Sequence, residues 1–279
     1  MVNCFRLCYN SKSKIFFHRG DVLKKDAKRI YLLDELRGFA IVCMVIHHMF
    51  YDFGFVLGYN WGYKIFDFLC YFQPVFWAIF IVISGICSRL SRNTVKRGFI
   101  VFGAGLAVTF VTAVIMPLMN IYGAEIYFGV LSCLGLSMII TGFIMPIIEK
   151  TNVKLGLAVS FALFFITYSV NSGSLLFGLI KLPGFLYKSN WLCPLGFFND
   201  SFASADYFSL LPWFFMFLFG AFLGKYAKDG AFPAWCYKRR VKFFEKVGKN
   251  SLWIYLFHQP VLYGIMYLIS FFELVFILR

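Results

Sequence analysis

Charge is scarce in this chain. Only 14% of its 279 residues are Asp, Glu, Lys or Arg, and just 13 of those are acidic. A soluble domain carries about 25% charged and roughly 45–50% apolar residues. At 61% hydrophobic and 22% aromatic, this chain has too little polar surface to cover a water-facing ball of its size. An ordinary soluble domain is excluded, and so is a disordered chain, which needs low hydrophobicity. The eight cysteines (4, 8, 43, 70, 87, 133, 193 and 236) form no CxxC pair and stand at no zinc-ligand spacing from a histidine. Neither a metal cluster nor a disulfide framework is expected. Cys43, Cys70, Cys87 and Cys133 fall in apolar runs, where cysteine behaves as a small hydrophobe. There is no internal repeat, heptad pattern or low-complexity linker. The first 30 residues are basic and polar, without the short charged start and early apolar core of a secretory signal.

What is present is a series of long apolar runs divided by basic blocks. A hydrocarbon core of about 30 Å needs about 20 apolar residues per helix. Seven spans are predicted, at 38–57, 66–88, 98–117, 126–148, 155–170, 207–224 and 251–278, and the fold class is an all-α polytopic membrane bundle. The apolar strip 175–187 carries Lys181 and Pro183 and reads as interfacial or re-entrant. The net charge of +14 does not point to nucleic acid. Most of the 27 Lys and Arg lie in blocks at 6–37, 89–97 and 225–249, between apolar runs, whereas a nucleic-acid footprint is a stripe on one folded face. Alternate connections hold 23 of these cations against four for the other set. Positive residues stay inside, so the N-terminus is expected in the cytoplasm and the C-terminus outside. Residues 1–29 form a basic cytoplasmic tail suited to an anionic lipid surface, and 30–279 form the membrane domain.

Ionisable groups inside a span are costly and are candidates for function. At about 100° per residue, with Asp34 at 0°, Arg37 falls at about 300°, His48 at about 320° and Asp52 at about 0°. These four share one face of the first span, while His47 falls well off it and reads as a helix-packing donor. His48 and Asp52, at i and i+4, are placed to meet. A carboxylate beside an imidazole fixes its tautomer and stabilises the imidazolium, as in base-and-orienter sites. The plainer reading is a buried polar pair that pins helix packing. His48 lies eleven residues beyond Arg37, about 16 Å at 1.5 Å per residue, which is mid-bilayer. In the last span Ser251, Tyr255 and His258 share a face, and Pro260 is expected to kink the helix beside His258. Arg89 and Arg92, with Lys96, Arg97 and Arg37, read either as a phosphate-binding collar or as positive-inside anchoring.

Taken together, LLDELRGFAIVCMVIHHMFYDFG, FWAIFIVISGICSRLSR, DYFSLLPWFFMFLFGAFLGK and GKNSLWIYLFHQPV resemble the bacterial membrane proteins named after the catalytic domain of heparan-alpha-glucosaminide N-acetyltransferase. The resemblance runs from about residue 29 to 265. The spacing from Arg37 to His48, and the segment SGICSRLSR, are also similar to motifs of membrane O-acyltransferases that modify bacterial surface glycans. The resemblance implies transfer of an acetyl group from cytoplasmic acetyl-CoA, the acyl-donor cosubstrate, to a carbohydrate hydroxyl or amine at the outer face of the bacterial cytoplasmic membrane. Arg37, Arg89 and Arg92, with Ser84 and Ser88, would hold the nucleotide end of CoA. His48 would act as general base or briefly carry the acetyl group. Asp52 would orient it, and His258 would be a second catalytic group. One departure is that the loop GYNWGYK after the first span lacks a histidine, although the lysosomal enzyme of this family has its proposed active histidine there. Direct transfer with His48 as base is therefore expected over a covalent acetyl-histidine.

Trp61, Trp191 and Tyr207 would stack on a sugar ring, with Asp206 or Asp200 bonding its hydroxyls. Each aromatic also reads as part of an interfacial belt. No metal and no nucleic acid is expected, and self-association is left open. Two rival classes stand beside the enzyme. One is a proton-coupled transporter with His48, Asp52 and His258 as a relay, which matching broken repeats would favour. The other is a structural or lipid-binding membrane protein without chemistry.

Overall fold

The computed structural model describes residues 29–277, with side chains through 275. The basic tail expected over 1–29 lies, apart from Arg29, outside the described residues, as does Arg279. The helices run α1 Tyr31–Tyr51, α2 Asn60–Cys70, α3 Gln73–Arg89, α4 Thr94–Phe110, α5 Val130–Phe143, α6 Met145–Lys150, α7 Val153–Thr167, α8 Leu210–Lys228, α9 Lys242–Lys249 and α10 Ser251–Ile277. A π-helical turn, Asp52–Val56, prolongs α1. Another, Val111–Ile115, prolongs α4. The sheet present among the described residues is one antiparallel hairpin, β1 Ser174–Leu175 with β2 Ile180–Lys181, pairing Ser174 with Lys181 and Leu175 with Ile180. The expected all-α class therefore stands.

Among the described residues five helical stretches are long and apolar enough to cross a bilayer: Tyr31–Val56, Thr94–Leu118, Val153–Ser172, Leu210–Lys228 and Ser251–Val275. The predicted span 66–88 is not one straight helix. α2 and α3 meet at a 53° bend, where Pro74 opens α3 with no N–H to continue the ladder. Counted as one, this pair makes six. The predicted span 126–148 is also divided. α5 has 14 residues, about 21 Å at 1.5 Å per residue, and Pro146 starts α6 afresh in the first helical turn. The strip 175–187 holds the hairpin and short 3-10 turns instead of a helix. Pro260 lies inside an unbroken α10.

The chain divides into two compact units. Among the described residues the first comprises 29–80 and 232–277. In it α9 lies directly on the first half of α1. A Cβ on Gly38 would strike the Phe244 carbonyl, and one on Gly248 would strike the Asp34 carbonyl. Only glycines let the two backbones come this close. The contact is locked by polar groups. Glu35 Oε1 accepts the backbone N–H groups of Arg240 at 2.7 Å and Val241 at 3.0 Å. Glu245, 4% exposed, takes Arg239 at 2.6 Å and also Lys249. A buried charge is tolerable when it is paired and hydrogen-bonded in this way.

The second unit runs from Ile81 to Ala231. Its core is built where α8 crosses the end of α3, with Phe217 and Ala221 fully buried and Gly85 leaving room for the Phe217 carbonyl. Asn93 caps α4 by accepting the Lys96 N–H at 2.8 Å. Asn152 caps α7 by accepting the Lys154 N–H at 2.9 Å. Both caps satisfy donors that a helix leaves unpaired at its start.

Candidate functional site

In the first unit the polar face of α1 meets α10. The His48 and His258 rings stand 5.0 Å apart, tilted by 58°. His258 Nδ1 lies 2.6 Å from the Tyr255 carbonyl. A carbonyl only accepts, so Nδ1 carries the proton and Nε2 holds the lone pair of the neutral ring. The sequence read these histidines separately; the fold makes them neighbours.

The expected side-chain contact of Asp52 with His48 is not made. Asp52 is fully buried, and neither carboxylate oxygen has a partner at hydrogen-bonding geometry. The side chains that act on it electrostatically are Gln259 and Tyr263. What Asp52 shares with His48 is a backbone bond, its N–H to the His48 carbonyl, at the point where the α-helix widens into the π turn. Its carboxylate answers to α10, and Gln259 and Tyr263 are the residues the sequence reading missed. Gln259 stands directly between His258 and Pro260, and that adjacency was the available signal.

His47 is buried. Its ring lies 4.7 Å from Phe66, and Nε2 is 3.6 Å from Cys70 Sγ. It packs α1 on α2. Arg37 is buried as well, 3.7 Å from Asp34 Oδ1, while Arg29 takes Asp34 Oδ2 at 2.6 Å. Trp61 is about half exposed and stacks on Tyr59 at 5.6 Å. The Tyr59 hydroxyl in turn donates to Glu273.

In the second unit an open cleft of about 280 Å³ is lined by Ser88, Arg89, Arg92, Thr94, Glu149 and Lys228, among others. The Arg89 side chain is only 2% exposed. Its stem passes Gly224, where an added Cβ would come within 2.5 Å of Cγ. Its guanidinium donates to Met145 Sδ, and to Glu149 Oε1 at 2.6 Å. Lys228 Nζ reaches the same oxygen at 3.3 Å. The Arg89 hydrogen bond, with the Arg89 and Lys228 charges, holds the Glu149 carboxyl below the usual carboxylate range against a smaller opposing effect of burial. Arg92 is exposed at the cleft. The Ser88 hydroxyl turns back to donate to the Gly85 carbonyl at 2.6 Å. Ser84 lies a turn earlier on α3, half-buried, and is not among the lining residues. Glu149 and Lys228 were not picked out from the sequence. The signal for Glu149 was an acid in an otherwise basic connection, in MPIIEK.

Of the residues expected to contact a sugar in this unit, Trp191 is 90% exposed. Tyr207 donates its hydroxyl to the Cys193 carbonyl at 2.6 Å. Asp206 Oδ2 lies 3.5 Å from the Val130 N–H, beside the first turn of α5, where a negative charge is favoured by the helix dipole. No group of three or more His, Cys, Asp or Glu able to hold a metal occurs among the described residues.

The imidazole pair lies on two helices apolar enough to cross a membrane, the cleft is lined by Arg89, Arg92 and Lys228, and the comparison with known proteins names the family. No curated protein and no solved structure matches the chain. Residues 29–260, however, match the family described as Heparan-alpha-glucosaminide N-acetyltransferase, catalytic. That match takes in α1, the Arg89 cleft and α10 as far as Pro260, so the chain belongs to the heparan-alpha-glucosaminide N-acetyltransferase catalytic family of membrane acetyltransferases.

Proposed function

We propose that this protein moves an acetyl group from cytoplasmic acetyl-CoA to a hydroxyl or amine of a carbohydrate at the outer face of a bacterial cytoplasmic membrane. The N-terminus is cytoplasmic and the C-terminus outside, with seven passages when the bent α2–α3 pair and α5–α6 each count as one. The 23-to-4 division of Lys and Arg between alternate connections supports this orientation.

The observation that carries the reading is the His48–His258 pair, with rings 5.0 Å apart. His48 is the general base. It takes the proton of the acceptor O–H or N–H while that oxygen or nitrogen attacks the thioester carbon. The C–S bond breaks, and the departing CoA thiolate takes the proton back from the His48 imidazolium. His258, with Nδ1–H held by the Tyr255 carbonyl, presents Nε2 to its neighbour or to the acceptor. Arg89, Arg92 and Lys228 supply positive charge for the phosphates of the donor's nucleotide end. Arg37 is assigned to the same anionic donor, and Trp61, Trp191, Asp206 and Tyr207 to the acceptor.

The test is acetyl-CoA turnover by the purified protein against a panel of amino and hydroxyl sugars, compared with His48→Ala. Loss of a general base costs about 10²–10⁴-fold in rate. A loss of that size with CoA binding retained is expected. Full turnover in the variant removes the role.

A further inference from the structure

We infer that Glu149 is a resident counter-ion of the Arg89 cleft, which an incoming ligand must displace, and that the cleft thereby selects phosphate and diphosphate groups over singly charged acids. This rests on the reading of the cleft as the donor's nucleotide site. The two partners of this ion pair differ in freedom. Arg89 is fixed: its side chain is 2% exposed, its stem fills the space left by Gly224, and Met145 Sδ accepts one of its N–H groups. Glu149 is not fixed, since its side chain is 43% exposed in the last turn of a six-residue helix. When the ion pair opens, the carboxylate moves and the guanidinium stays.

The backbone beneath Glu149 is anchored separately. Lys225 Nζ donates to the carbonyls of Glu149 and Thr151, each at 3.0 Å, and to that of Ile148 at 3.4 Å. Release of the side chain therefore needs only rotation about its own bonds. The Glu149 carboxylate spans two cations, since Oε1 receives both Arg89 and Lys228. Arg89 Nε is buried with no hydrogen-bond partner, so the guanidinium has donor capacity that Glu149 and Met145 do not use. Arg92 makes no ion pair among the described residues.

The charge arithmetic then sets selectivity. A singly charged acid that displaces Glu149 replaces one carboxylate with another, and gains little. A phosphate monoester carries about −1.5 to −2 at neutral pH and three acceptor oxygens. It can take Arg89, Arg92 and Lys228 together, while the Glu149 charge returns to water.

Isothermal titration of the full-length protein in detergent, with CoA, pyrophosphate and acetate as probes, tests this. Glu149→Gln should bind CoA and pyrophosphate roughly 1.5- to fivefold more tightly, the range of one partly exposed ion pair. Acetate should gain at least as much from the substitution as either phosphate probe, because the carboxylate that excluded it is gone, and an acetate affinity left unchanged counts against the selectivity. Carboxyl footprinting of the unmodified protein should show Glu149 labelled faster when CoA is bound. CoA affinity unchanged or weaker in Glu149→Gln, or slower labelling on CoA binding, overturns the inference and leaves Glu149 as a positioning group for Arg89. If neither protein binds CoA, the nucleotide-site reading itself fails and this inference falls with it.

Discussion

The histidine pair and the arginine cleft handle polar groups in opposite ways. Around His48 and His258 aromatic rings pack nearby: His47 on Phe66 and Tyr255 beside His258. One backbone carbonyl receives the His258 Nδ1–H. Around Arg89 the charges are dense, partly exposed and mutually neutralised by Glu149 and Lys228. The first arrangement suits proton transfer, which needs a neutral imidazole with a free lone pair. The second suits binding of an anion, which needs preformed positive charge that can exchange one partner for another. If each region does what its chemistry suits, the kinetic consequences of damaging them must separate.

His258→Ala should give the largest effect of that separation. Turnover should fall by about 10²-fold or more while CoA affinity is unchanged, as for a group acting only in the chemical step. Arg89→Ala should do the reverse, weakening CoA binding by about tenfold or more through loss of a charge-assisted contact. Equal losses of rate and affinity in both variants would erase the distinction. Titration calorimetry beside single-turnover assays decides this.

Gly38→Val probes a support of the histidine region. It drives a side chain into the Phe244 carbonyl, and overpacking costs typically about 1–3 kcal/mol. The thermal midpoint should drop clearly, whereas Gly264→Ala, where an added Cβ meets nothing, should leave it nearly unchanged. A Gly38 variant as stable as the parent would mean that α9 is not held tightly against α1.

The smallest effect concerns acid. Burial pushes the Glu245 carboxyl up, but its bonds and charges from Lys249 and Arg239 outweigh this and hold it below the usual carboxylate range. A carboxyl lowered on folding stabilises the fold above its unfolded pKa of about 4.3, and that contribution is lost as pH falls through the lower folded value. Glu245→Gln should therefore be less stable than the parent at pH 6, with the gap closing toward pH 3 in thermal melts. A gap that persists at low pH would point to packing in place of charge.

The parts legible in advance were those governed by one helix at a time. Composition alone required lipid around the chain, because so few charges cannot cover it. The 3.6-residue period put Asp34, Arg37, His48 and Asp52 on one face and assigned His47 to packing, where it lies against Phe66. The two divided spans were harder to read, since Pro74 and Pro146 sit in segments whose apolar content runs on past them.

Pairings between distant helices belonged to the tertiary structure. His48 and His258 are 210 positions apart, and no period links them. Asp52 had a good local partner four residues back, yet its carboxylate makes no hydrogen bond to it, and Gln259 and Tyr263 lie within its electrostatic reach. Arg89 looked like a free cation until α6 brought Glu149 to it. Spacing along a helix is set by its own backbone geometry, so sequence alone determined faces, basic blocks and the membrane class. Which face meets which depends on where small residues let two backbones approach, and on which buried charges must find a partner, so only the folded structure decided the histidine pair and the occupied cleft.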